Sequence, residues 1–248
     1  MLSKSQISLI KSLHQKKYRK EHQLFIVEGY KAISEFLSSE FQIQSIYCTP
    51  DILPKLNNLS NKQKVFEVSI NELEKISALQ TPQGILAVIK TPENEQINPS
   101  AIKERIIVLD GVQDPGNLGT IIRSADWFGF KQIICSEDCV EVYNPKVVQA
   151  TMGSLTRVKV CYQNLEDLLS RSNLPKYGTL LAGNNIFNQT FDDEGFLILG
   201  SEGKGISPKI IDLITHPVTI PGGKHTESLN VAVAAAICCA EMSRNKLK

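Results

Sequence analysis

The stretch RIIVLDGVQDPGNLGTIIRSADWFGF, residues 105–130, decides the fold class. An apolar, β-branched run closes at Asp110, a Gly-containing loop follows, and Ile121, Ile122, Ala125 and Phe128 then recur as one face of a helix. Strand, loop and helix in that order make the repeating unit of an α/β protein. The loop resembles a phosphate cradle only in part. Gly111 and Gly116 have the right offset, but the Lys and Ser/Thr that should follow are Asn117 and Leu118. A dinucleotide loop is no better supported, because the glycines at 111, 116 and 119 lack the close first pair of G-x-G-x-x-G. The spacing predicts a helix from about 117 to 129, with Asn117 as its N-cap. Arg123 borders the apolar stripe, where by itself it reads as a surface side chain paired with Asp126 at i+3.

Downstream the same alternation continues. Apolar runs QIIC, RVKVCY, TLLAG, FLILGSEG and PVTI alternate with helical patterns after Asn144, near 164–171, near 207–214 and from about 228 to 245. Strands this rich in Val, Ile and Leu, with little alternation, predict a parallel sheet covered on both faces. Ligands then belong at the carboxyl ends of the strands. Upstream, LFIVEG, IQSIYC, KVFEVS and GILAVIK alternate with helices near 30–39, 51–58 and 70–77. Together they predict a small α/β domain over residues 1–90. TPENEQINPSAIKE, residues 91–104, is polar and carries two prolines, which predicts an exposed linker ahead of a second domain over 105–248.

Composition narrows the function classes. Of 248 residues, 42% are apolar and 21% charged, the balance of an ordinary globular protein, and the formal net charge of +1 supplies no general attraction to nucleic acid. A local patch exists, because Lys4, Lys11, Lys16, Lys17, Arg19 and Lys20 fall within twenty residues that contain no Asp or Glu. No apolar run is long enough for a membrane span or a signal h-region, so a cytoplasmic protein without membrane association is expected. The six cysteines form no C-x-x-C pair and the four histidines no ligand spacing, so no metal is expected.

Two further segments have the character of site loops. In FLILGSEGKGIS, residues 196–207, an apolar strand ends at Gly200 and Glu202 stands among glycines that would let backbone approach a ligand. In VTIPGGKHTESLNVAVAAAICCAEM, residues 218–242, a strand runs through Gly222 and Gly223 into a helix of small apolar residues, with Ser228 as its expected N-cap and Asn230 beside it.

Taken in order, NLGTIIR, LGSEGKGI and IPGGKHTESLNVAVAAAI resemble the three motifs of the SpoU (TrmH) family of RNA ribose methyltransferases, in the SPOUT superfamily. QKKYRKEHQLFIVEG and TPQGILAVI resemble the substrate-binding domain often joined to it, so the resemblance spans nearly the whole chain. It implies S-adenosylmethionine as methyl donor, with the methyl group going to a ribose 2'-hydroxyl in structured rRNA or tRNA. A C-terminal trefoil knot and a homodimer whose site is completed near the partner chain are implied as well. Carried over residue by residue, it implies a catalytic set of Asn117, Arg123, Glu202, Ser228 and Asn230. The donor falls to Ala182, Gly183, Asn184, Gly200, Gly203, Ile220 and Leu229. Lys16, Lys17, Arg19 and Lys20 are then expected on RNA phosphates. Guanidinium stays protonated in proteins, so Arg123 is expected to stabilise the developing alkoxide, held by Glu202 or an RNA phosphate. Family members often carry Met and Gly where this chain has Gly222 and Lys224, which leaves the role of Lys224 open. A same-fold RNA-binding protein without transferase activity is the alternative, and donor binding separates the two.

Overall fold

The computed structural model describes residues 2–56, 63–223 and 228–245. In chain order the elements begin with α1 (Lys4–Ser12), α2 (Lys16–His22), β1 (Leu24–Glu28), α3 (Tyr30–Leu37), β2 (Ile43–Cys48), β3 (Lys64–Glu67), α4 (Ile70–Glu74) and β4 (Ile85–Lys90). They continue with β5 (Arg105–Asp110), α5 (Pro115–Trp127), β6 (Gln132–Cys135), α6 (Pro145–Thr151), β7 (Lys159–Tyr162), α7 (Leu165–Ser170), β8 (Lys176–Asn185), β9 (Gly195–Gly200), α8 (Pro208–Ile211), β10 (His216–Thr219) and α9 (Val231–Ser243). In place of the helix expected at 51–58, the described residues show one short 3-10 turn, Leu53–Lys55. Packing divides the chain into two compact units, Met1–Glu93 with Glu141–Thr156, and Asn94–Val140 with Arg157–Lys248.

The first unit is a sheet of order β1-β4-β2-β3, antiparallel except where β3 joins β2. β4 is central because ILAVI is buried along its whole length, and β1 is buried at all five positions. Capping boxes at Ser3 with Gln6 and at Ser69 with Glu72 start α1 and α4. One expectation is overturned here. Arg19 is 3% exposed, and its guanidinium is committed to an ion pair with Glu141 and to the Leu13 carbonyl at 2.8 Å. It cannot serve an RNA phosphate, whereas Lys16, Lys17 and Lys20 on the same short helix are exposed. Glu141 opens the 141–156 segment, and Tyr143 from that segment lays its ring 4.6 Å from that of Phe25. This segment therefore packs with the first unit although it lies between β6 and β7 in sequence.

The second unit is a six-stranded sheet of order β10-β8-β9-β5-β6-β7, and every pair in it is parallel. Ile106, Val108, Ile134, Phe196 and Ile198 share one buried cluster with Leu165, Leu168 and Ile210 of the α7 and α8 regions. Alternation turns Ile107 and Leu109 to the other face, where α9 packs on β9 and on α5. Residues 94–104 form no bare linker. Asn94 exchanges two 2.9 Å hydrogen bonds with the Tyr162 backbone, and Ile97 N–H donates to Gln163 at 2.8 Å.

The strand order fixes where a ligand can enter. From β5 the chain moves outward to β6 and β7, then returns to place β8, β9 and β10 on the opposite side. Adjacent strands β5 and β9 thus send their following helices to opposite faces, and a crevice opens between their carboxyl ends.

Candidate active site

At that crevice, the loop after β5 turns at Asp114, whose carboxylate accepts the Asn117 N–H at 2.8 Å, with Pro115 as first helical residue. Helix α5 therefore begins two residues before the expected 117, capped by Asp114 in place of Asn117. The consequence is chemical. A capping Asn would have spent its carbonyl oxygen on its own helix, whereas here both ends of the Asn117 amide are free to reach elsewhere.

The loop after β9 is a tight turn closed by two backbone bonds, Ser201 N–H to Gly205 O at 3.1 Å and Gly205 N–H to Ser201 O at 2.8 Å. Gly200 makes the turn possible, since a Cβ there would lie 2.0 Å from the Gly205 carbonyl carbon. Its missing side chain admits its own loop's backbone, where a ligand had been expected. The turn carries Glu202 at its tip.

The third contribution comes from the start of α9, where the cap is Asn230 and not Ser228. Its Oδ1 accepts the N–H groups of Ala232 at 3.0 Å and Val233 at 3.3 Å. Only an oxygen can accept there, so the Nδ2 group is fixed as the end that points outward. It donates to Glu202 Oε1 at 2.5 Å and to Asn117 Oδ1 at 3.0 Å. With its oxygen so placed, Asn117 presents Nδ2 to the same Glu202 Oε1 at 2.6 Å. The cap of one helix thereby orients two amides and a carboxylate drawn from three separate loops. Glu202 Oε1 receives both amides, and Oε2 has no hydrogen-bond partner among the described residues, so it is open to a hydroxyl from solvent or substrate.

Not every expected residue joins this cluster. Arg123 lies six residues beyond Asn117, about 9 Å along α5 and roughly 120° around it. Among the described residues no ion pair links it to Glu202. Nor does it pair with Asp126, which is taken by Arg157 at 2.8 Å. Arg123 is exposed and has no hydrogen-bonded partner among the described residues. Ser228 is exposed and likewise unbonded among them. Lys224 and Glu227 lie outside the described residues. The missed residue is Asp114, and its signal was readable, because Asp followed by Pro marks an N-cap and first helical position.

Of the residues expected to hold the donor, Ala182, Gly183 and Asn184 lie at the end of β8 and Ile220 just past β10, while Gly200 and Gly203 belong to the turn after β9 and Leu229 precedes α9. The register of the β8–β10 pair jumps from Gly178↔Pro217 to Asn184↔Val218, so residues 179–183 fall out of step with β10. Ala182, Gly183 and Asn184 are exposed there, and a Cβ on Gly183 would meet the Pro217 carbonyl at 2.8 Å. Leu181, 82% exposed, and Leu229, 47% exposed, offer aliphatic surface that the fold leaves uncovered, with Ile220 half-buried. Gly203 has open space where a side chain would stand. Exposed main chain beside uncovered aliphatic groups suits a flat heteroaromatic ring with hydrogen-bonding edges. Among the described residues no group of His, Cys, Asp and Glu is placed to hold a metal ion, and no helix is long and apolar enough to cross a membrane.

Comparison with known proteins identifies the family. Residues 104–240 match the SpoU rRNA Methylase family and residues 4–87 the MRM3-like substrate binding domain. The chain is 32% identical to the 23S rRNA (guanosine(2553)-2'-O)-methyltransferase RlmP of Bacillus subtilis, over 92% of this chain and 91% of that protein. Among solved structures, a TrmH-family protein from Porphyromonas gingivalis superposes with a TM-score of 0.91 at 37% identity, covering 99% of this chain and all of the other (100%). An AdoMet-bound rRNA methyltransferase from Sinorhizobium meliloti gives 0.89 at 27% identity, covering 100% and 98%. On the sheet order, the site loops and these matches, the chain belongs to the SpoU rRNA methylase family.

Proposed function

We propose that this protein transfers the methyl group of S-adenosylmethionine to the 2'-hydroxyl of a ribose in structured ribosomal or transfer RNA. The observation that carries the reading is the Asn117–Glu202–Asn230 network at the crevice between β5 and β9. When bound, the donor supplies an electrophilic methyl group on a sulfonium centre. The exposed backbone of 182–184, with Gly200, Gly203, Ile220 and Leu229, would hold it. Similarity to the 2'-O-methyltransferase RlmP and to the AdoMet-bound enzyme of Sinorhizobium meliloti supports both donor and acceptor.

The chain's own residues then have to align a weakly acidic alcohol and relieve the charge that develops on its oxygen. Glu202 Oε2, left free while the two amides hold Oε1, would accept a hydrogen bond from the 2'-hydroxyl and take up its proton as the oxygen is methylated. Arg123 supplies a fixed positive charge for the alkoxide. Its distance from the amide cluster within one chain favours a homodimer, in which Arg123 of the partner subunit completes the site. Trp127, one turn beyond Arg123 on the same helix face, is 79% exposed, and Val233 on α9 is 48% exposed. An exposed Trp on the helix that carries the arginine suits a surface meant for a second copy.

RNA is held on this reading partly by Lys16, Lys17 and Lys20. Lys17 lies 5.6 Å over the Tyr18 ring, which itself stacks on His22 at 6.4 Å, so the patch joins cations with aromatic faces. The test is to map 2'-O-methylation in total RNA from cells with and without the gene, alongside donor binding by the purified protein. Loss of one methylated ribose with measurable donor affinity is expected. Donor affinity absent and no site changed would leave the RNA-binding alternative standing.

A further inference from the structure

Between β6 and α6 the chain makes a turn, Ser136–Val140, that the proposed chemistry does not use. Its side chains are nevertheless aimed at the loop after β5. Ser136 Oγ accepts the Gly111 N–H at 2.9 Å and donates to Asp138 Oδ1 at 2.5 Å. Cys139, only 3% exposed, accepts the Val112 N–H on its sulfur at 3.2 Å, and its thiol donates to the Leu109 carbonyl at 3.3 Å. Val140 N–H closes the arrangement on the Val112 carbonyl at 2.9 Å. Two consecutive amides of the β5–α5 loop are thus held by two side chains of one turn.

That loop ends at Asp114, the cap that sets where α5 starts and so where the Asn117 amide lies. Gly111 has φ +72°, a left-handed conformation that needs its flanking peptide groups held to persist as one arrangement. Asn117 forms a 2.6 Å bond with Glu202, a distance sensitive to small shifts of the helix start. We infer that Ser136 and Cys139 are positioning residues for the methyl transfer, fixing the Gly111–Asp114 loop and through it the Asn117 amide against Glu202. The Cys139 thiol is brought down to about 7, chiefly by the neighbouring Cys135 thiol and further by Ser136 and the Val112 N–H, against the opposing effect of burial. The inference rests on the transfer reaction proposed above.

The discriminating variants are Cys139→Val, which keeps the site apolar with a slightly larger side chain and removes the hydrogen bonds, Cys139→Ser, which keeps an acceptor and donor, and Ser136→Ala. Steady-state methylation of RNA is measured for each, with donor affinity by calorimetry. Cys139→Val is expected to lower kcat about 10- to 100-fold. The RNA KM and donor Kd should stay within about twofold, because the lysine patch and the β8 end are untouched, and Cys139→Ser should recover most of kcat. Ser136 is only partly buried, so Ser136→Ala should fold and show the same loss confined to kcat even if Cys139→Val does not fold. Wild-type kcat in both Ser136→Ala and folded Cys139→Val, or a loss that appears only in KM, overturns the inference and leaves the transfer reaction intact. Wild-type protein with no transferase activity would overturn both together.

Discussion

Arg19 and Arg123 lie in two regions that the sequence marks as RNA-facing, yet the fold treats them in opposite ways. In the first unit Arg19 is 3% exposed and saturated by Glu141 and the Leu13 carbonyl. In the second unit Arg123 is exposed and unpaired among the described residues, with the nearby Asp126 taken by Arg157. A cation spent on the fold is part of the architecture, and one left unspent is available for chemistry. The same contrast separates the asparagines. Asn98, Asn144 and Asn164 spend their side-chain oxygens capping helices or 3-10 turns, while Asn117 is relieved of that duty by Asp114.

The contrast breaks most visibly at Arg123. Arg123→Ala is expected to lower turnover about 1,000-fold, some 4 kcal/mol of barrier, with the melting midpoint unchanged because an exposed, unpaired side chain contributes little to stability. Arg123→Lys should also lose most activity while donor affinity survives, since charge without the planar fork does not restore the geometry. Arg19→Ala should behave in reverse. It leaves Glu141 without its partner, and denaturant unfolding should register a loss of about 3 kcal/mol, with the transfer chemistry itself intact in whatever fraction remains folded.

Asn230 tests both duties in one residue. Asn230→Asp keeps the oxygen that caps α9 but replaces the donor facing Glu202 with a second carboxylate, so turnover should fall about 10- to 100-fold with stability held within about 1 kcal/mol. Asn230→Ala should lose both. A variant Asn230→Asp with full activity would show that the donated hydrogen bond is dispensable. The smallest effects belong to the lysine patch. Replacing Lys16, Lys17 and Lys20 together by Ala should flatten the salt dependence of RNA affinity by roughly 0.7 to 0.9 log units per log unit of salt for each phosphate no longer neutralised.

How much of this was readable in advance follows from the physics of each signal. The strands of the second unit were legible because parallel strands covered on both faces are continuous apolar runs, as in RIIVLD and FLILG. The helix starts differ from the expected positions at both site helices, α5 beginning two residues earlier at Pro115 and α9 three residues later at Val231. Asp114, Asn117, Ser228 and Asn230 are all good caps, and propensity alone does not choose among them. The choice mattered, because it decides which amide is free. Gly200 was legible as a glycine needing close approach, but what approaches is Gly205 and Ile206 of its own loop. The burial of Arg19 was not legible, because its partner Glu141 is 122 residues away and belongs to a segment that packs with the first unit. Long-range pairing leaves no local pattern. The turn that holds Gly111 and Val112 was equally silent, since Ser136 and Cys139 follow no motif.

The most direct test is a single-turnover assay with labelled S-adenosylmethionine and total RNA from cells lacking the gene, using wild-type protein and Arg123→Lys, with the modified nucleotide mapped. The account predicts one 2'-O-methylated ribose with the wild type. It also predicts at least about 100-fold slower transfer at unchanged donor affinity with Arg123→Lys. Equal rates for the two proteins, or a methyl group on a base in place of a ribose oxygen, would contradict it.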